Sequence, residues 1–124
     1  MRTTVLASPA LALMLLSAPQ SMAHHSPAAF NLTVTDFAIS GEIEFVEMRN
    51  PHSVIELRVA NDDGSTTQWD IEFSSVNLLL RRGWDFERIK AGDRVTCIGN
   101  PSATGRSEMY MWSIVLADGT EFGR

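Results

Sequence analysis

Three small-or-apolar residues, Ser21-Met22-Ala23, run directly into a histidine pair, His24-His25-Ser26. A cut after Ala23 makes His24 the N-terminus, where one residue offers a metal two nitrogens, the α-amine and the imidazole, in a chelate ring. The only other histidine is His52. An amine with two imidazoles suits copper(II), which prefers tetragonal nitrogen and oxygen ligands and heads the divalent affinity series. An α-amine with a pKa near ~8 also yields its proton to a metal easily at neutral pH. This is a histidine-brace ligand set: His24 twice and His52 once. His25 can replace His52, or bind through its ring and the preceding amide. Against this stands a plainer chemistry. Any free His-His terminus takes up copper in solution, and His52 in an Asn50-Pro51-His52 turn can serve simply as a cap.

The cut itself is read from residues 1–23. Arg2 gives a positive start, Val5 to Leu16 is apolar, and Ser21 and Ala23 are the small residues at −3 and −1 of an export signal. Pro9 breaks the apolar run, which falls short of the ~20 residues needed to span a bilayer. A cut after Ser21 would leave Pro19 at −3, where a small residue is wanted. A cut after Met22 would give Ala-His-His, a different copper-chelating terminus. No later stretch is apolar enough for a membrane segment, so the expected product is periplasmic or secreted by bacterial-type export.

Removing residues 1–23 leaves 101 of 124 residues, enough for one small domain. All 15 acidic residues remain, with 9 of the 10 basic ones, for a formal charge of −6. That balance and the lack of a basic stripe argue against nucleic acid as partner. Cys97 is alone, so no internal disulfide can form and packing must carry stability.

The elements that would hold the histidines follow from periodicity. Residues 24–35 have no period and contain Pro27, which reads as an arm. Its ten or so residues reach ~33 Å when extended, far enough to bring His24 to His52. Residues 36–124 form the domain. From Phe37 the chain alternates, with Phe37, Ile39, Gly41, Ile43 and Phe45 on one face, a strand by its period of two. Gly41 marks a bend or bulge. Arg49 to His52 turn the chain into a second strand, Ser53 to Ala60. Asn61-Asp62-Asp63-Gly64 is a hairpin turn into a third, Thr66 to Phe73. Ser74 or Ser75 caps a helix over Val76 to Arg82 that Gly83 ends. One more helical turn over 85–89, a fourth strand over 94–99, a polar loop over 100–107, a fifth strand over 108–116 and a short tail strand near Glu121 complete the pass.

Three strands, a helix, then two strands is the order of a five-stranded OB-like barrel; a half-open sandwich is the rival. The class is mainly β, with one short helix between strands 3 and 4. The expected core includes Ile43, Phe45, Ile55, Leu57, Trp69, Ile71, Trp112 and Ile114. Tyr110, Trp112, Ile114 and Leu116 are expected on one face of the fifth strand, with Met109 and Met111 opposite.

Several segments together resemble a family. They are Ala23-His24-His25-Ser26, Asn50-Pro51-His52, Asn77-Leu78-Leu79-Leu80-Arg81-Arg82-Gly83-Trp84, Lys90-Ala91-Gly92-Asp93 and Leu116-Ala117-Asp118-Gly119. The chain is similar to an uncharacterised family of small exported bacterial proteins across nearly its whole mature length. The resemblance implies fold and export, with no activity attached. Pro27 stands where that family usually has an aromatic, and Asn31 where an acidic residue is common.

Other residues offer weaker chemistry. Asn77, Arg81, Arg82 and Trp84 at a helix end suit a carboxylate or a sugar. They are equally explained by Arg81 and Arg82 pairing with Asp85, Glu87 or Asp93 while Trp84 covers the barrel end. Cys97 reads as a small core hydrophobe and Met109 with Met111 as a structural pair. Asp70 and Glu72 look solvated, and no nucleophile–base pair, phosphate loop or zinc spacing is present, so no catalytic residue is assigned. The leading expectation is an exported copper-binding carrier or chaperone. The alternative is a non-catalytic module that docks a small ligand, a glycan or an envelope protein. A braced copper oxidase is disfavoured by the chain's small size and its lack of an extended aromatic substrate surface.

Overall fold

The computed structural model describes residues 27–123. The expected export signal, the expected cut after Ala23, and His24 and His25 lie outside the described residues. Six strands follow in chain order: β1 (Phe37–Glu47), β2 (Ser53–Ala60), β3 (Thr66–Phe73), β4 (Arg94–Pro101), β5 (Glu108–Leu116) and β6 (Glu121–Phe122). One short α-helix, α1 (Val76–Arg81), stands between β3 and β4, followed by the expected further helical turn as a 3-10 turn at Phe86–Arg88; another 3-10 turn, Pro27–Ala29, precedes β1. The sheet runs β3-β2-β1-β4-β5-β6, and β3 also pairs in parallel with β5 through Asp70–Glu108, Ile71–Met109 and Glu72–Tyr110. That pairing closes a five-stranded barrel and leaves no open sandwich edge between β3 and β5. β6 extends the same edge of β5 beyond the reach of β3, pairing at Ile114 and Val115.

β1 belongs to both halves of the barrel. Its first half, through Glu42, pairs with β4, and from Glu42 onward it pairs with β2. Gly41 sits at the handover, where a Cβ would lie 2.5 Å from the Arg58 carbonyl oxygen. A strand this sharply shared needs a residue without a side chain at that point.

The core gathers Ile43, Ile55, Leu57, Ile71, Phe73, Val95, Cys97, Met109, Met111 and Ile114 from the strands. Leu79, Trp84 and Ile89 join it from α1 and the segment leading to β4. Burying each large side chain contributes roughly 1.5–3 kcal/mol, which is how a six-residue helix too short to stand alone is held in place. Ser75 caps that helix by accepting from the Leu78 N–H, and Gly83 follows it at φ +79.

Two bulges revise the expected faces. On β1 the pairing slips between Ile43 and Phe45, so one extra residue enters and the alternation inverts. Phe45 turns outward, 45 % exposed, and Val46 and Met48 pack inward instead. On β5 the slip lies opposite Ile98 and Gly99, with Trp112 as the extra residue. Met109 and Met111 are therefore core residues, while Tyr110 and Trp112 face outward on the other side of the wall. Trp69 packs on the core's margin, stacked on Phe37. β4 also runs two residues past its expected end. Asn100, expected in a polar loop, is fully buried within it.

Candidate functional site

The turn before β2 decides what His52 does. Ser53, fully buried, closes that turn from its own hydroxyl: Oγ accepts from the Arg49 N–H at 3.2 Å and donates to the Arg49 carbonyl at 3.3 Å. His52 is thereby released from capping. Its Nδ1 lies 2.5 Å from Glu72 Oε1, and its carbonyl accepts from Arg49 Nε. The Glu72 side chain is 13 % exposed and the His52 side chain 36 %, so the carboxylate is sheltered while the imidazole reaches the surface. Nε2 has no partner among the described residues. Glu72, expected to be solvated, is thus a partner to the one histidine of the barrel.

Tyr110 completes the group. Barrel closure places it beside Glu72 in register. Its ring meets His52 edge-on at 6.2 Å, and its hydroxyl is 3.3 Å from Ser74 Oγ. On its other sides lie Trp112 at 5.1 Å and Phe30 of the arm at 5.9 Å.

The arm is fastened at that point. Phe30 is buried and bridges to Ser102, the Asn31 N–H donates to the Pro101 carbonyl, and Ala103 donates to Ala29. From inside β4, Asn100 Nδ2 donates to the carbonyls of Val34 at 2.6 Å and Asn31 at 3.3 Å. A buried amide gripping two arm carbonyls fixes where the arm leaves the barrel. Nothing in the local sequence announces this, because Asn100 reads as loop until the β4–β5 register is known.

The second sequence-derived cluster does not assemble as a ligand site. Trp84 is 5 % exposed, sandwiched between Phe73 and Phe122, and its Nε1 donates to the Gly123 carbonyl. Asn77, Arg81 and Arg82 are exposed on or beside α1. Among the described residues no ion pair joins either arginine to Asp85, Glu87 or Asp93; the neighbouring Arg88 instead pairs with Asp118. Cys97 is fully buried, and burial pushes its thiol up to about 12. That rules it out as an accessible thiolate ligand. Among the described residues no three His, Cys, Asp or Glu side chains converge on one point.

A shallow groove of about 530 Å³ runs beside the same wall, lined by Thr35, Ile98, Trp112, Ser113, Glu121 and Gly123. Ser113 Oγ donates to Glu121 Oε1 at 2.5 Å, so its floor is polar on one side and indole on the other.

A family profile matches residues 12–110, four-fifths of the chain. The chain belongs to DUF6152, a family of unknown function. The matched stretch takes in both tandem histidines, the arm and the whole His52–Glu72–Tyr110 group. No curated protein and no solved structure matches the chain.

Proposed function

We propose that this is an exported, periplasmic or secreted copper-binding protein of the carrier or chaperone type. Its metal is taken by the amine and imidazole of a mature N-terminal His24 together with His52 Nε2, with His25 as the neighbouring ligand. The observation that supports this reading most is the pairing of a partly exposed His52, whose Nε2 has no partner among the described residues, with an arm that docks two ring contacts away. Phe30 touches Tyr110 and Tyr110 touches His52. Four residues lie between His25 and Phe30, and with Pro27–Ala29 in a 3-10 turn the five steps reach about 13 Å, close to those two contacts laid end to end. A site split between arm and barrel suits a carrier. The barrel contributes one imidazole, and the remaining nitrogens belong to the N-terminal segment.

The terminus is the part to test. Protein beginning at His24 should bind one Cu(II), whereas one residue added ahead of His24 converts the amine to an amide and should abolish that mode. Equal binding by both forms would sink the reading. The groove beside Trp112 favours the second reading, a module for a small polar ligand such as a glycan, since an indole wall with hydroxyl and carboxylate neighbours fits a sugar face.

A further inference from the structure

We infer that Glu72 is the positioning residue of His52, holding the imidazole as its Nδ1–H tautomer so that Nε2 is the nitrogen offered to a metal. The identity of the metal rests on the copper reading above; the tautomer does not.

A carboxylate only accepts hydrogen bonds, so the Nδ1 contact with Glu72 Oε1 at 2.5 Å requires the proton to sit on Nδ1. The lone pair of a neutral ring is then on Nε2. Three further contacts keep the ring where Glu72 puts it. The Tyr110 edge packs at 84° to the imidazole, Ser74 anchors the Tyr110 hydroxyl, and Arg49 holds the His52 carbonyl. Ser53 satisfies the turn, so capping gives His52 no reason to carry a carboxylate partner. A carboxylate behind a ligating histidine fixes ring orientation and raises ligand basicity, and losing it lowers metal affinity about 10–100-fold. A pair that merely ties the turn before β2 to β3 would hold the same tautomer, but its loss would leave metal affinity unchanged.

Nitrogen NMR of histidine-labelled, metal-free protein in mildly alkaline solution reads the tautomer, and copper affinity separates the two roles. Wild type should show His52 protonated on Nδ1 alone. Glu72→Ala should give a mixture with the Nε2–H form, and Glu72→Gln, whose amide oxygen still accepts, should restore the wild-type tautomer. With Cu(II) alone as probe on processed protein, Glu72→Ala should bind 10–100-fold more weakly and Glu72→Gln should lie nearer wild type. An Nε2–H tautomer in wild type overturns the inference, and that single spectrum decides even if Glu72→Ala does not fold. An unchanged tautomer in folded Glu72→Ala overturns it too. If the tautomers behave as stated while His52→Ala leaves copper binding intact, the copper reading fails and the role of Glu72 stands.

Discussion

Ile43 and Phe45 are two positions apart on β1 and end on opposite sides of the barrel wall. Ile43→Ala should cost about 2–5 kcal/mol in chemical denaturation, as a buried truncation leaving a cavity does. Phe45→Ala should cost only about 0.5 kcal/mol, as surface changes do. Equal losses would contradict the bulge between them. Cys97 makes a second residue-scale prediction. Its folded thiol is raised from 9.0 to about 12 by burial, so the folded state keeps a proton that the unfolded chain gives up. The resulting stabilisation is complete below pH 9.0 and is lost as pH rises toward 12. Cys97→Ala should therefore lose stability less steeply than wild type over that alkaline range, measured by denaturant midpoints. Matching slopes would count against the burial. At neutral pH the native thiol should resist alkylating reagents that label the unfolded chain.

At the scale of elements, the arm is predicted to depend on Asn100. Asn100→Ala removes the two hydrogen bonds to the Asn31 and Val34 carbonyls and should cost roughly 1–3 kcal/mol. Hydrogen exchange should speed up at the Asn31 amide more than at the β2–β3 amides; uniform acceleration would mean that Asn100 serves the barrel as a whole. Much of this scaffold was legible because its signals are local. The hairpin turn at 61–64, the Ser75 cap with Gly83 behind α1, and the alternation of β2 all follow from neighbours in sequence. The His52–Glu72 proximity was within reach as well. That hairpin turn sets Val54 opposite Glu72, and His52, two residues before Val54, falls on the same face. What could not be read depends on distant pairing. Two bulges invert the faces of Phe45, Met109 and Met111, and a one-residue slip leaves no mark in a hydrophobic pattern. Tyr110 reaches His52 only through the parallel β3–β5 closure. Asn100 becomes a clamp only once the arm has crossed β4.

For the whole molecule, the central proposal is that an N-terminus at His24 shares a metal with His52; the fastened arm and the carboxylate behind His52 support it. The direct measurement is a Cu(II) titration, followed by electron paramagnetic resonance, of exported protein shown by N-terminal sequencing to begin at His24, against the same preparation of His52→Ala. The account predicts one Cu(II) per chain with nitrogen-dominated coordination in the wild type. In His52→Ala it predicts binding weakened by several-fold or more, with an altered spectrum. If His52→Ala matches wild type in affinity and spectrum, the copper is held by the His24-His25 terminus alone, and the barrel has no part in the site.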